Sequence, residues 1–340
     1  MTTQAVINPG VVAATGTMRA VTQDRYGNAD VLRQATVEVP AAGAGEVLVQ
    51  VRAAGVDRGT WHLMTGRPWI MRLMGFGLRA PKVKVPGLDL AGTVVAVGEG
   101  VTRFQPGDEV FGFGRGSFAQ YAIAPEAELG HKPAGLGFEE AAVLPVSAVT
   151  ALQAVRDAGA VQAGQRVLVL GASGGVGGYA GQVAKAMGAE VTGVASGAKL
   201  DLVREHGADH VVDYTQEDAL DGRTRYDLVI DTAGRRPLRH LRRALTERGT
   251  LVIVGGEGGD RVTGGFGRQI RAAIWSSFVP QQLKVLMSRQ NAEDLEHLAS
   301  LVTSGAVRPR VDRTFPLSGV AEAIRRLQAG EVRGKVAITI

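Results

Sequence analysis

One run in the sequence has a composition that no helix or strand interior favours: residues 171–178 read GASGGVGG. Glycine has no side chain, so a ligand can approach the backbone of such a run closely. The run follows a short apolar segment, RVLVLG (166–171), and precedes apolar residues at helical spacing. A strand, a glycine turn and a helix in this order form the pyrophosphate site of dinucleotides, where free N–H groups at the helix start favour negative charge. The run therefore predicts a dinucleotide site.

The fingerprint of such a site is G-x-G-x-x-G. Its register here begins with alanine in place of the first glycine, and the second and third glycines stand at Gly174 and Gly177. The glycines clear space for the pyrophosphate and for close packing of helix on strand. The residues expected to contact the cofactor in this turn are Ala172, Ser173, Gly174, Gly175, Val176 and Gly177.

The acid that usually follows the second strand of an NAD site is missing. That position lies in VASGAK (194–199), where we assign it to Ser196, with Lys199 just beyond. A hydroxyl and an ammonium group attract the 2′-phosphate of NADPH, which a carboxylate would repel. Tyr214, after the third strand, adds a hydroxyl. These residues favour NADPH over NADH; the alternative is that Lys199 is a solvated lysine at the start of a helix.

The elements around the turn predict the fold that positions it. After residue 139, short apolar strands alternate with amphipathic helices, including one around 237–247, which is typical of a parallel, doubly wound sheet. The helix after the turn has its apolar face at i, i+3, i+4 and i+7, and Gly188 is placed to end it. Before residue 139, short alternating apolar segments separated by Gly, Pro and Asp predict an antiparallel β domain.

Composition excludes several classes of protein. The chain has 340 residues, 45% of them hydrophobic, no cysteine and a net charge of +5, so disulfides and thiolate metal sites are ruled out. Only 5% of residues are aromatic, and the basic cluster RRPLRHLRR (235–243) is interpreted as a solvated helix face, with Arg235 or Arg236 reaching the cofactor as the alternative. Nucleic-acid binding is not expected.

The sequence also lacks the marks of secretion or stable membrane insertion. Residues 1–17 contain no Lys or Arg, so the charged start of a signal peptide is missing. The longest apolar stretch, 141–155, is too short to span a bilayer and contains a proline. A soluble, cytoplasmic protein is expected.

Six motifs occur in order along the chain: AAGVDRGTWHLMTGRP, VPGLDLAGTVVAVGEGVTRFQPGDEVFG, GSFAQYAIAP, LPVSAVTALQAV, GASGGVGGYAGQVAKAMGAEV and HGADHVVDY. With them the chain from residue 18 to residue 340 resembles the medium-chain dehydrogenase/reductase superfamily, specifically its zinc-free quinone oxidoreductase (zeta-crystallin-like) branch. The resemblance implies an α/β fold with a GroES-like β domain, a doubly wound Rossmann domain that binds NADP, a cleft between them, and a homodimer. The expected divisions are an N-terminal extension (1–17), the catalytic domain (18–138), the cofactor domain (139–290) and a segment that returns to the catalytic domain (291–340).

Zinc members of the superfamily have a metal-binding Cys where this chain has Asp57, and a His-Glu pair where it has Leu88 and Asp89. Leucine cannot bind zinc, and no four-cysteine lobe follows, so the resemblance implies no zinc. A simple ketone needs its oxygen polarised by a metal or strong donor, whereas a quinone or an α,β-unsaturated carbonyl spreads the developing charge. We therefore expect NADPH-dependent reduction of a quinone or enone.

The resemblance also implies roles for individual residues. Asp57 stands where the branch usually has Asn near the nicotinamide, and His62 stands where relatives often have a Tyr that lines the substrate cleft. We predict that His62 donates to the substrate oxygen, and for both residues a purely structural role is the alternative. The residues expected to border the nicotinamide, its carboxamide and the adenosine are Thr150, Val254, Gly255, Ala233 and Gly234.

Two apolar segments flank the presumed cleft. Residues 67–82 are interpreted as a pocket wall or lid, with core packing as the alternative. Residues 264–288 are compatible with closure over substrate, a subunit interface or contact with a membrane surface. Two further functions remain open at this point: an NAD(P)-dependent alcohol dehydrogenase or carbonyl reductase, and a non-catalytic NADPH-binding protein, which would not need an open pocket beside the nicotinamide.

Overall fold

The computed structural model describes residues 16–255, 262 and 264–340. Most of the predicted N-terminal extension, residues 1–15, lies outside the described residues. Helices and strands are named below in chain order.

The first part of the chain forms antiparallel strands, as predicted. A two-stranded sheet pairs β1 (Thr17–Thr22) with β2 (Arg33–Glu38). The long strand β3 is central to a larger sheet, where it pairs with β4 and β6, while β5 joins β4 to β7. The bounds of these strands are β3 (Glu46–Val56), β4 (Asp89–Val97), β5 (Glu109–Phe113), β6 (Tyr121–Pro125) and β7 (Leu129–His131).

Three helices belong to this part of the chain and to its exit. Helix α1 (Arg58–Thr65) follows β3, and α2 (Phe138–Ala142) leads into α3 (Pro145–Leu152). Proline at the first position of α3 suits a helix start, because that N–H would have no intrahelical partner. Most of α3 is buried, and the helix packs between the two large sheets of the molecule.

The next part of the chain forms a six-stranded parallel sheet, which confirms the predicted doubly wound arrangement. The strand order is β10-β9-β8-β11-β12-β13, so the chain reverses direction across the sheet beside β8. The strands are β8 (Arg166–Leu170), β9 (Glu190–Ala195), β10 (His210–Asp213), β11 (Tyr226–Asp231), β12 (Leu245–Ile253) and β13 (Gln282–Val285). The helices among them are α4 (Gly175–Ala186), α5 (Leu200–Glu205), α6 (Leu238–Arg243) and α7 (Phe266–Ser276).

Helix α4 buries the face predicted from its apolar spacing and ends before Gly188, which has a positive φ of 82°. The helix predicted around 237–247 is shorter than expected. It ends at Arg243 because β12 begins at Leu245, where the backbone joins the parallel sheet beside Tyr226.

The last part of the chain completes the first large sheet. Strand β15 pairs in parallel with β14 and antiparallel with β3, so that Val336 lies opposite Val56. The elements of this part are α8 (Ala292–Thr303), β14 (Val311–Pro316), α9 (Val320–Ala329) and β15 (Lys335–Thr339). The exact domain boundaries stay predictions.

One hydrophobic cluster connects the two large sheets. It includes Ala53 and Phe111 from the first sheet, Leu152 from α3, and Val167 and Val169 from the parallel sheet. Continuous burial of this kind fixes the two sheets relative to each other, because close-packed interiors tolerate little displacement. In the part of the chain that the structure describes, no helix has the length and apolarity needed to cross a membrane.

Candidate functional site

The carboxyl ends of the parallel strands lie in one row. Leu170 is in register with Val194 on one side and with Asp231 on the other, and Asp231 is in register with Ile253. The loops that follow these residues therefore open at the same edge of the sheet. In doubly wound sheets this edge, beside the point where the strand order reverses, is where ligands bind.

The glycine turn connects the central strand β8 to α4 at this edge. The N–H groups of Gly171 and Ala172 both donate to Val194 O, at 3.1 and 3.0 Å. Helix α4 then begins after Gly174, and within the described residues no side chain caps it. A Cβ atom on Gly177 would lie 2.2 Å from Gly171 O, so helix and turn are in direct contact. Uncapped N–H groups beside a bare backbone fit the pyrophosphate of a dinucleotide.

The loops after β11 and β12 are held together by one buried acid. Asp231 is fully buried; its Oδ1 accepts from Gly234 N at 2.9 Å, and its Oδ2 pairs with the guanidinium of Arg268 on α7. Its main-chain oxygen accepts from Val254 N and Gly255 N, at 3.0 and 3.1 Å. Ala233, the remaining predicted residue here, lies beside Gly171. These residues therefore lie at the same edge of the parallel sheet as the glycine turn.

The loop after β9 is the predicted adenosine corner, and its lysine is not open as the sequence suggests. Ser196 ends β9, and Lys199 donates to the main-chain oxygens of Gly330 and Val332 at 2.7 and 2.8 Å. Burial, and then the nearby Arg333, lower the pKa of Lys199. Lys199 thus ties the loop after β9 to the segment before β15.

Two charged residues near this corner were missed by sequence reasoning. Arg333 donates to Ala198 O and to Asp201 Oδ2, the latter at 2.7 Å. Asp213, which ends β10, accepts from Thr215 N at 2.9 Å, and this bond lowers the pKa of its carboxyl. Tyr214 follows it and is half exposed. Arg333 is more than a hundred residues from Ser196 in sequence, so no local pattern points to it.

Asp57 caps helix α1. It is buried, its backbone is extended, and its Oδ1 accepts from Thr60 N at 2.7 Å. This is the usual bond of an N-cap acid, and it consumes one of the two carboxylate oxygens. Asp57 therefore fixes the start of α1, the helix that also carries His62.

A prediction follows for Asp57. Asp57→Ala is expected to lower the free energy of unfolding by about 1 kcal/mol through loss of the cap, whereas Asp57→Asn retains an acceptor oxygen and most of the stability. Urea denaturation of both variants measures the difference. Equal stability of Asp57→Ala and wild type would show that the cap contributes nothing.

His62 lies in the last turn of α1 and faces the loop that follows it. Its Nδ1 is 2.8 Å from Arg67 O, and its ring contacts Trp61 edge to face with 4.8 Å between centroids. A carbonyl oxygen only accepts hydrogen bonds, so Nδ1 carries the proton. Nε2 is then an acceptor in the neutral ring and a donor in the imidazolium.

A buried charged cluster lies between the glycine turn and Asp57. Lys335 Nζ is 3.6 Å from Asp89 Oδ2 and donates to Ser147 Oγ at 3.0 Å. A Cβ on Gly175 would lie 2.9 Å from the Lys335 side chain, and one on Gly55 would lie 2.7 Å from Asp89 Oδ2. The cluster thus connects the start of α4 to the end of β3. A lysine inside the apolar final strand was the sequence signal that could have revealed it.

Asp89 has a perturbed titration. Burial raises its pKa to about 7, and the charge of Asp57 adds to this effect while Lys335 opposes it. Its Oδ1 accepts from Val146 N at 2.8 Å, which fixes the start of α3. Thr150, one turn later, donates to Val146 O at 2.6 Å. The predicted nicotinamide-side residue Thr150 is therefore held close to the Asp89 cluster.

Further basic groups surround the start of α4. A small pocket beside this helix is lined in part by Gly174, Gly178, His206, Arg310 and Lys335. Burial, and then Arg310, lower the pKa of His206. Within the described residues, no group of three potential metal-ligating side chains occurs.

Two family profiles match the chain. The profile of the GroES-like domain of alcohol dehydrogenases matches residues 43–134, and a profile named for zinc-binding dehydrogenases matches residues 206–338. Together they cover the antiparallel sheet and much of the parallel one. The GroES-like β domain and Rossmann-type sheet expected from the sequence are thereby confirmed.

Three curated proteins are similar over almost the whole chain. Quinone-oxidoreductase QR1 of Triphysaria versicolor, a chloroplastic protein, is 31% identical over 94% of this chain and 98% of its own length. The mitochondrial NAD(P)H oxidoreductase RTN4IP1 of Mus musculus is 32% identical over 93% and 88%. The 2-methylene-furan-3-one reductase of Solanum lycopersicum is 31% identical over 94% and 79%.

A solved structure has the same architecture. The quinone oxidoreductase from Coxiella burnetii superposes with a TM-score of 0.84 and 29% sequence identity. The match covers 96% of this chain and 100% of that one.

Proposed function

The chain belongs to the medium-chain dehydrogenase/reductase superfamily, in its zinc-free quinone oxidoreductase branch, and on that premise we propose that it uses NADPH to reduce a quinone or an α,β-unsaturated carbonyl without a metal ion. The observation that carries the proposal is the uncapped start of α4 beside the bare glycine turn, at the edge where six parallel strands end. NADPH, when bound, supplies the hydride of its nicotinamide ring. The residues of the protein position the cofactor and the substrate and provide the charges that bind them.

The proposed substrate class follows from the residues that replace the zinc ligands. Leu88 cannot bind a metal, and Asp57 is engaged in capping α1. A simple ketone would therefore lack strong polarisation of its oxygen, whereas a conjugated acceptor distributes the charge that develops. The names of the similar proteins, quinone oxidoreductases and a furanone reductase, support the same substrate class.

We assign different tasks to the two predicted catalytic residues. Asp57 positions α1, and His62 delivers a proton to the substrate oxygen from Nε2. Because Nδ1 donates to Arg67 O, this delivery requires the imidazolium form. A His62→Gln variant is expected to retain NADPH binding and to lose turnover by about 100-fold, the usual contribution of a general acid.

The preference for NADPH over NADH rests on Ser196. It stands where an NAD site has an acid, and Lys199 and Arg333 bring two cations to the same loop. Asp213 and Asp201 oppose this charge, and Asp201 is paired with Arg333. Because Ser196 carries no charge, it does not repel the 2′-phosphate of NADPH, and we propose that this residue decides the preference for NADPH over NADH.

Ser196→Asp tests this assignment. A carboxylate at this position accepts from the ribose hydroxyls of NADH and repels the 2′-phosphate, so the ratio of kcat/KM for NADPH over NADH is expected to fall about tenfold or more. Ser196→Ala, which adds no charge, is the matched control and is expected to change the ratio far less. An unchanged ratio in Ser196→Asp would place the 2′-phosphate elsewhere.

The activity itself is tested by following NADPH absorbance with an ortho-quinone, a para-quinone, an open-chain enone and a simple ketone, each with EDTA. Turnover of a quinone or enone that EDTA leaves intact is expected. Ketone turnover that EDTA abolishes would instead support a zinc-dependent alcohol dehydrogenase. NADPH binding without reduction of any acceptor would favour a non-catalytic NADPH-binding protein.

We also propose that the protein is a cytoplasmic homodimer divided into the extension (1–17), catalytic domain (18–138), cofactor domain (139–290) and returning segment (291–340). The sequence resemblance supports the dimer, and the pairing of β15 with β3 supports the return of residues 291–340 to the catalytic domain. Light scattering after size-exclusion chromatography measures the oligomeric state.

A further inference from the structure

One surface segment has a composition that the proposed reaction does not use. Residues 67–84, here called the arm, read RPWIMRLMGFGLRAPKVK and contain five Lys and Arg residues but no Asp or Glu. The sequence predicts a pocket wall or lid for most of this segment. Its side chains are exposed to solvent, which indicates that they contact a molecule other than the substrate.

The arm presents large apolar side chains to solvent. The exposed fractions are 49% for Trp69, 75% for Leu73, 43% for Phe76, 66% for Leu78 and 56% for Val83. Single exposed apolar residues are ordinary, but five within fifteen residues form a patch, and such patches mark interaction sites.

The backbone of the arm is held in place from within. The hydroxyl of Tyr26 lies 2.9 Å from Phe76 O and 2.7 Å from Gly77 O. The guanidinium of Arg72 donates to Gly66 O at 2.9 Å and lies 4.3 Å from the centroid of the Tyr26 ring. The backbone of the arm is therefore anchored, and it holds the exposed side chains in defined positions.

The apolar surface continues onto the cofactor-binding half of the molecule. Ile70 N donates to Val262 O at 3.2 Å, which places the arm against the chain that leads into α7. Along α7 and just after it, Ile270, Ile274 and Phe278 are 59%, 56% and 80% exposed. Their spacing of four residues puts Ile270 and Ile274 on one side of the helix, and Phe278 follows the helix end; the three residues are here called the α7 stripe.

The charge of the arm identifies the partner. Arg79, Lys82 and Lys84 are exposed and alternate with the apolar side chains; Lys84 has one weak surface contact, 3.9 Å from Asp24. In a symmetric dimer through this face, cationic arms without any acid would face each other and repel. Anionic lipid headgroups neutralise such cations, while aromatic and aliphatic side chains enter the interface below.

We propose that the arm and the α7 stripe dock this protein on the surface of an anionic lipid bilayer. The binding is peripheral and reversible, because apolar insertion is shallow and the electrostatic attraction is screened by salt. If the proposed function holds, docking brings the cleft next to the phase in which lipophilic quinones dissolve. The docking itself does not depend on turnover.

The test is flotation of the full chain with vesicles of phosphatidylcholine containing one quarter phosphatidylglycerol. We expect binding that falls at high salt and is weak with pure phosphatidylcholine. The double variant Leu73→Ser/Leu78→Ser is expected to lower the partition coefficient about tenfold or more, since two exposed apolar side chains are removed from the contact. Met287→Ser, which alters an equally exposed side chain outside both segments, is the matched control and is expected to bind like wild type.

Two results would overturn the proposal. One is absence of binding to the anionic vesicles, or binding that the double variant retains in full. The other is a wild-type dimer that the double variant converts to monomer while vesicles bind neither, which would assign the face to a second copy. Circular dichroism and NADPH fluorescence show whether each variant is folded, and neither vesicle result requires an active enzyme.

Discussion

Gly177→Ala is expected to lower the affinity for NADPH on the order of 10- to 100-fold, because overpacking of this kind costs about 1–3 kcal/mol. The new Cβ would lie 2.2 Å from Gly171 O, 2.8 Å from its carbonyl carbon and 3.0 Å from the Cα of Ala172. All three are backbone atoms, so no rotamer change relieves the contact. Helix α4 must move away from the turn, and its N–H groups leave the position that fits the pyrophosphate.

Gly181→Ala provides a matched control on the same helix. A Cβ there meets only Val191 Cγ1, at 3.9 Å, and alanine favours a helix interior over glycine by about 0.5–1 kcal/mol. Titration of NADPH fluorescence and thermal unfolding of both variants measure the contrast. If both variants bind NADPH like wild type, the close contact at Gly177 does not shape the cofactor site.

The second large effect concerns Lys335→Met, which is expected to lower the free energy of unfolding by about 3–5 kcal/mol above about pH 8, where Asp89 of wild type is ionised. The substitution leaves the fully buried Asp89 without its cation and Ser147 without its donor. An uncompensated buried charge costs far more than an exposed one. By contrast, Lys185→Met removes a shorter contact, 2.8 Å to Asp209, but this pair is partly exposed and the expected loss is below about 1 kcal/mol.

The loss in Lys335→Met depends on pH with a definite sign. The pKa of Asp89 is already raised to about 7 in the folded protein, compared with ~3.9 in an unfolded chain, and removal of Lys335 raises it further. Between these values the folded variant binds more protons than the unfolded one, so its stability increases as pH falls. Wild type shares this trend below about pH 7, so the deficit should be constant there and should grow above about pH 7, where only the wild-type carboxyl is ionised, by up to about 1.4 kcal/mol per pH unit; urea denaturation on both sides of pH 7 measures it. A deficit independent of pH would mean that Asp89 is not the group left unpaired.

Features set by neighbouring residues could be predicted from the sequence. The glycine turn is one, since strand, turn and helix are adjacent in sequence and the glycines directly indicate a backbone without side chains. The alternation of strands and helices and the end of α4 before Gly188 are others. The helix at 237–247 was overestimated because pairing of β12 with β11 takes the chain from Leu245 onwards. The pairing of two strands distant in sequence therefore determined the end of this helix, and the local spacing of apolar residues did not.

Features that join distant parts of the chain could not be predicted in this way. Lys199 was expected to face the cofactor, but its ammonium binds main-chain oxygens contributed by Gly330 and Val332. The charged cluster of Lys335 and Asp89 likewise depends on two strands far apart in sequence. Asp57, by contrast, was expected beside the nicotinamide, and its contact with Thr60 N is a local one that an acid before a helix could have indicated.

The pairing of β15 with β3 has a consequence for how the protein is made. Translation releases β3 long before β15, so during most of synthesis one edge of this sheet lacks its neighbour. The hydrogen-bonding groups that later meet Val336 and Ile338 are then open to other nascent chains, and unpaired edges promote aggregation. The parallel sheet consists of contacts closer in sequence and can form first. Completion of the antiparallel sheet is therefore a late event of high contact order, and the growing chain depends on prompt release or on chaperones until its last strand is in place.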